Sequence, residues 1–197
     1  CTEPSVFSQT LCLLLCGVGA GISVQKHHIL QLPAIAATDE ATNPVIFTIP
    51  DSIEGWANAV KALVDSYMLV QGDSTNTTYR KRVVFDYSLI RPKGATIGKL
   101  LGKAPGAAPL RTALNKCRKF IDTRLEAGAA RLQPIDVFDI LGLLSDAVLS
   151  GGIRRSALIL LFSPDDEDML RSKTGNWFST APQRAREAPR PRVVAST

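Results

Sequence analysis

The stretch from Ser156 to Phe162 constrains this chain more than any other. It is a nearly unbroken apolar run, Ala-Leu-Ile-Leu-Leu-Phe after the serine, and it is too short to be a helix. Such a run predicts a strand covered on both faces, as in a parallel sheet flanked by helices. The residues just before it, from about Pro134 to Ser150, are apolar nearly all round, which predicts a buried helix. A buried helix feeding a buried strand points to an α/β fold with parallel strands.

The rest of the chain repeats that alternation. Val6, Phe7, Leu11, Leu14 and Leu15 follow helical spacing, and Gly17 stops the helix. Gly19 to Gln25 reads as a short strand ending in the polar run Gln25-Lys26-His27-His28, and residues 33–44 as a loop. Val45 to Ile49 is a strand closed by Pro50. Asp51-Ser52-Ile53-Glu54 then reads as a capping box, with an acceptor side chain followed three residues later by a glutamate. Behind it Ile53, Trp56, Ala57, Val60, Leu63, Val64, Tyr67 and Met68 form the best-defined apolar stripe of the chain. Arg82 to Ile90 alternates as a strand, and a glycine-rich loop follows. Leu110, Ala113, Leu114, Cys117, Ile121 and Leu125 mark another helix. Asp165, Asp166 and Glu167 load the first turn of a short one, where negative charge suits the helix dipole.

Charge is unevenly spread. Formal net charge is +5, but from Ala181 onward Arg184, Arg186, Arg190 and Arg192 face only Glu187, so the tail supplies +3 and the remainder is close to neutral. A basic balance confined to a Pro/Arg-rich tail does not support a nucleic-acid interface, because no aromatic residue is interleaved with those arginines. The reading is one domain over residues 1–180 and a disordered basic tail over 181–197.

Four cysteines, Cys1, Cys12, Cys16 and Cys117, include no CxxC pair, and His27-His28 lacks spaced partners, so no metal site is expected. Cys12 and Cys16 lie four apart on one helix face and read as core thiols, and the overall usage fits a reducing cytosol. The apolar run Leu11–Gly21 falls short of the roughly 20 residues a membrane span needs and has no basic leader, so a cytoplasmic protein is expected. The chain opens on Cys1 rather than Met and reads as a fragment or a processed product.

Three glycine features invite a nucleotide reading. Gly17-Val18-Gly19-Ala20-Gly21 has the wrong spacing for a dinucleotide fingerprint and follows a helix instead of a strand. Gly94-Ala95-Thr96-Ile97-Gly98-Lys99 is one residue short of a P-loop, and Leu100 stands where a hydroxyl would hold magnesium. The third is Gly151-Gly152-Ile153-Arg154-Arg155-Ser156, where backbone can approach a ligand beside two forked guanidiniums. By itself it reads first as a glycine helix cap followed by two solvated arginines.

Taken in order, several strings resemble the large subunit of ribonucleotide reductases, and most of all the adenosylcobalamin-dependent (class II) branch. They are Leu13-Leu14-Leu15-Cys16-Gly17-Val18-Gly19, Ser23-Val24-Gln25-Lys26-His27-His28 and Pro50-Asp51-Ser52-Ile53-Glu54-Gly55-Trp56. Phe85-Asp86-Tyr87-Ser88, Ile90-Arg91-Pro92-Lys93-Gly94, Gly102-Lys103-Ala104-Pro105-Gly106, Gly151–Leu158 and Pro182-Gln183-Arg184-Ala185-Arg186 follow.

The resemblance implies about the first half of a ten-stranded α/β barrel. It implies reduction of ribonucleotides to deoxyribonucleotides by a cobalamin-initiated thiyl radical, with thiols supplying electrons. It also implies control by a deoxynucleoside triphosphate (dNTP) effector, a thioredoxin-like reductant and a homodimer. By position, Cys16 and Gly17 resemble the turn that touches the ribonucleotide substrate. Arg91, Lys93, Gly94 and the loop through Lys103 resemble the effector site. Gly151, Gly152, Ile153, Arg154, Arg155 and Ser156 resemble the loop that couples effector to substrate. Cys1 is the nearest residue to the family's first-strand redox cysteine, but lies too close to the helix at Phe7 to match it. The radical cysteine and its glutamate lie downstream of the Pro-Gln-Arg-Ala-Arg string, where this chain reads Glu187-Ala188-Pro189-Arg190, and Ala107-Ala108 replace an expected Pro-Glu. Catalysis is therefore expected of a longer parent. The alternatives are a non-catalytic dNTP-binding remnant and a basic-tail nucleic-acid binder.

Overall fold

The structure, a computed structural model, describes residues 1–39, 41–69, 76–97, 102–149 and 156–174, together with the backbone of 192–195. The elements run α1 (Ser5–Leu15), β1 (Gly19–Ser23), α2 (Lys26–Ile29), β2 (Val45–Thr48), α3 (Ile53–Tyr67) and β3 (Val83–Asp86). They continue α4 (Ala108–Glu126), α5 (Pro134–Leu149), β4 (Ala157–Phe162), α6 (Glu167–Leu170) and β5 (Arg192–Ala195).

Strand order in the larger sheet is β1-β4-β5, all parallel, with Ala20 opposite Leu158 and Ile22 opposite Leu160. A smaller parallel pair joins β2 to β3, with Val45 opposite Val83. Parallel pairing needs long crossovers, and α5 sits in the long connection between β1 and β4. Helix α1 packs on α3 and α5, and α4 on α5 and α3. Phe7, Leu11 and Leu14 of α1, Val60 and Leu63 of α3, Leu114 and Ile121 of α4 and Leu141 and Leu144 of α5 meet in one apolar cluster. Each such side chain contributes about 1.5–3 kcal/mol relative to exposure, which is why the helical layer is secure.

Helix α5 is buried on nearly all sides, as its apolar composition predicts. The strand after it departs from expectation. Leu158, Leu160 and Phe162 are buried, whereas Ala157 and Ile159 are exposed. The helices cover one face of the sheet. On the other, Ala157 and Ile159 stand in register with Gly19 and Gly21, which have no side chains to cover them.

One further expectation is corrected. The cap of α3 is Ser52, whose hydroxyl accepts from Gly55 N–H at 2.9 Å, and not Asp51 with Glu54. Within the Pro/Arg-rich tail, residues 192–195 form β5, whose backbone pairs Ile159 with Arg192 and Phe162 with Ala195. Two adjacent β-branched residues, Val193 and Val194, give that segment the strand preference its Pro/Arg composition hides. It extends the parallel sheet beyond β4. The short helix α2 forms where the sequence showed only a polar run.

Candidate functional site

Four segments singled out in the sequence converge on one pocket. Helix α1 delivers Leu15, the residue before Cys16 and Gly17, and α5 delivers Ala147 and Val148, just before the Gly151–Ser156 loop. The start of α3 contributes Ser52, Ile53 and Trp56, and the loop after β3 contributes Ile90, Arg91, Ile97 and Ala104. The pocket encloses about 170 Å³. Its wall is largely apolar, with one ion pair set in it, between Arg91 and Asp51.

The α1 end is built for a sharp turn. Gly17 has φ +79, a backbone conformation that costs a side-chain-bearing residue about 1–2 kcal/mol. Its N–H donates to the Leu14 carbonyl at 2.9 Å and the Val18 N–H to the Leu13 carbonyl at 3.3 Å. This double bonding is a Schellman closure, which satisfies carbonyls otherwise left open at a helix end. Cys16 is exposed on that turn, and Cys12 is half-buried, so neither is the core thiol expected from their spacing. The spacing does put both on one face, but only the α1 positions with Leu11 and Leu14 point into the cluster. Cys117 is the buried thiol, and burial pushes it up to about 12.

Arg91 donates from Nε to Asp51 Oδ2 at 2.5 Å, and no other partner of its guanidinium is found among the described residues. Lys93 and Gly94 are exposed just beyond it. The loop closes on itself through Gly94 N–H to the Ala104 carbonyl at 2.8 Å and Ala104 N–H to the Ala95 carbonyl at 2.7 Å. That closure brings Lys93 and Gly94 back beside Lys103, which is also exposed, so the effector candidates form one cationic loop on the pocket rim. Gly151 to Arg155 lie outside the described residues, as does Gly98. Ser156 is half-buried at the start of β4.

Cys1 is placed elsewhere. Its nitrogen donates to the Ser23 carbonyl at 3.0 Å, at the opposite end of β1 from Cys16 and Gly17. Sequence reasoning missed Asp51 as the partner of Arg91, and missed Trp56 as pocket wall. The stripe on α3 held the signal for Trp56, since its first turn meets the pocket and the later turns meet the core.

Residues 23–121 match the family described as "B12-dependent ribonucleotide reductase, insertion domain". The chain belongs to the B12-dependent ribonucleotide reductase family. Similar relatives are the adenosylcobalamin-dependent ribonucleoside-triphosphate reductases of Lactobacillus delbrueckii subsp. bulgaricus and of Lacticaseibacillus paracasei. The first is 29% identical over 188 residues, covering 81% of this chain and 24% of the relative; the second is 30% identical over 191 residues, covering 81% and 25%. A crystal structure of a B-12 dependent (class II) ribonucleotide reductase superposes with a TM-score of 0.72 at 27% identity, covering 89% of this chain and 27% of that one. The chain thus spans about a quarter of the length of these relatives. The likeness confirms the barrel-type α/β fold, of which β1, β4 and β5 are consecutive parallel strands.

Adenosylcobalamin is the cofactor named for these relatives. The pocket above, at about 170 Å³, is too small to enclose a corrin macrocycle. Among the described residues no group of three or more metal-ligating side chains comes together, and no helix is long and apolar enough to cross a membrane.

Proposed function

We propose that this chain supplies the nucleotide-recognition part of an adenosylcobalamin-dependent ribonucleotide reductase, which reduces ribonucleotides to deoxyribonucleotides under dNTP control. The observation that carries this reading is the convergence of Leu15, Asp51, Trp56, Arg91 and Val148 on one pocket. That pocket takes Leu15, the residue before the substrate turn at Cys16-Gly17, and Ala147 and Val148, which precede the Gly151–Ser156 segment in sequence.

The division of labour follows from the chemistry of the lining. An apolar wall with Trp56 takes the base, because aromatic faces stack on flat rings. The Asp51 carboxylate, half-exposed beside the wall, is an acceptor suited to a sugar hydroxyl. Arg91 gives forked donors to phosphate, and Lys93 and Lys103 add point charges outside the pocket. The closed Gly94–Ala104 loop offers backbone where phosphates lie near it. In this reading the effector occupies the pocket, and a ribonucleotide substrate lies against Cys16 and Gly17. The parent enzyme is soluble and cytoplasmic, draws electrons from a thioredoxin-like reductant and works as a homodimer.

The test is equilibrium binding of the four dNTPs to the 197-residue chain by calorimetry. Saturable binding that falls about 10-fold or more in Arg91→Ala is expected, since hydrogen bonds to charged groups contribute about 1.5–3 kcal/mol. Failure of the wild-type chain to bind any dNTP refutes the reading.

A further inference from the structure

Cys12, half-buried, and Cys16, exposed, stand one helical turn apart at the end of α1. Neither lines the nucleotide pocket, although Leu15 between them does. The nucleotide reading uses the turn at Cys16 and no sulfur. We propose that these two thiols form a two-coordinate site for a soft monovalent cation, copper(I).

The helix fixes the spacing of the pair. Cys16 N–H donates to the Cys12 carbonyl at 3.0 Å, and Cys16 keeps φ −73 and ψ −7, so the last turn of α1 stays regular through its cap. Side chains four residues apart then share one face, with Cβ atoms about 5–6 Å apart. A disulfide draws its Cβ atoms to about 3.5–4.5 Å, so this turn would have to unwind to form one. A single metal atom between the sulfurs spans the longer gap with the helix intact. The sulfurs already face each other, since the Cys12 thiol is hydrogen-bonded to that of Cys16.

The donor set selects the ion. Structural zinc takes four ligands and iron–sulfur clusters take four thiolates. Among the described residues no group of three or more metal-ligating side chains comes together, so two sulfurs are what this face offers. Copper(I) is soft, prefers thiolate and is stable with two donors. Burial first, then Cys16 and the Glu54 carboxylate at the start of α3, hold the Cys12 thiol above its ordinary value. The pair therefore stays protonated without a ligand, and a borderline ion held by two donors gains too little to displace the protons. A soft ion displaces both. Each S–H bond is exchanged for an S–Cu bond, the two protons pass to solvent, and copper stays monovalent, so no oxidant or reductant enters. The exposed Cys16 thiol provides the entry path such a site needs.

The probe is copper(I) itself, presented as its bicinchoninate complex to the reduced full chain without oxygen. Native mass spectrometry should show one copper on the monomer, and competition with the chelator gives its Kd. Cys12→Ser and Cys16→Ser should each weaken binding at least about 100-fold, the upper end of what losing a mere supporting partner costs a metal site. Cys1→Ser should leave it unchanged, and zinc in excess should not compete. Thermal melts accompany every variant; Cys16 is exposed, so Cys16→Ser tests the site even where Cys12→Ser loosens α1. Absence of copper on the wild-type chain overturns the proposal, as does tight binding retained in either helix variant. Loss of binding in Cys1→Ser, copper found only as a bridge between two chains, or zinc bound as tightly as copper overturns it equally.

Discussion

Arg91 gives its Nε–H to Asp51 Oδ2 at 2.5 Å, tying the loop after β3 to the residue that precedes the Ser52 cap of α3. The Arg91 and Asp51 side chains are 39% and 29% exposed, so solvent screens the pair and its contribution to stability is about 1 kcal/mol at most. Its consequence is orientation. With Nε committed to Asp51, the two terminal nitrogens of this pocket-lining guanidinium are left for a ligand. Arg91→Ala should therefore cost about 1 kcal/mol or less in a urea melt. Its dNTP affinity should nonetheless fall about 10-fold or more. Equal losses in both measurements would show Arg91 to be a structural residue and not a ligand.

Gly55 and Pro50 are held together just as closely. Gly55 lies in the first turn of α3, where a Cβ would collide with the Pro50 carbonyl and come within 3.0 Å of the Pro50 side chain. The carbonyl is backbone and does not swing aside. Gly55→Ala, which in an open helix is stabilising, should here destabilise by about 2 kcal/mol or more, within the range for overpacking. Ser52→Ala removes only the cap and should cost about 1 kcal/mol. The two values, compared in the same denaturant series, test whether the entry to α3 is fixed by close approach or by capping.

Those two residues also show what the sequence made legible. The α3 helix, its apolar stripe and its start were all readable, because amphipathic spacing and an N-terminal acceptor are local signals. Which acceptor caps was not readable: Asp51 and Ser52 both qualify, and the choice fell to Ser52 because Asp51 is taken by Arg91, a partner 40 residues away. The strand 157–162 was placed correctly for the same local reason. Its open face was misjudged because cover depends on the neighbouring strand, where Gly19 and Gly21 stand opposite Ala157 and Ile159. Cys16, Gly17, Arg91 and Lys103 were singled out as candidates through the family resemblance. The apolar wall that joins their neighbours was not, since Leu15, Trp56 and Val148 look like ordinary core in one dimension.

Thiol reactivity should follow exposure. Cys16 is exposed on the turn after α1, Cys12 is half-buried, and Cys117 is enclosed by α4. Burial, and secondarily Cys16 and Glu54, raise the Cys12 thiol, which lowers its thiolate fraction at neutral pH. Labelling of the native chain at about pH 8 should modify Cys16 first and Cys12 more slowly. Cys117 should react only in denaturant. Peptide mapping after timed quenching reads the order directly, and early labelling of Cys117 would mean that α4 opens locally. A dNTP in the pocket should slow Cys16, because Leu15 beside it is pocket wall.

Alkaline stability gives the last test, and its sign is fixed by Cys117. Burial pushes the thiol from 9.0 to about 12 in the folded chain. Between those values the unfolded chain releases the proton and the folded chain keeps it. The unfolded state then binds fewer protons, so stability falls as pH rises, with a limiting slope of about 1.4 kcal/mol per pH unit for one proton. Tyr67 and Tyr87, raised from 10.0 also by burial, add the same sign at higher pH. The interval from about pH 9 to 10 therefore belongs mainly to the thiols. Cys117→Ala should lower stability at neutral pH through the space it leaves, yet flatten the decline over that interval in urea melts. A decline as steep in Cys117→Ala as in the wild type would mean that the α4 thiol is not sealed from water.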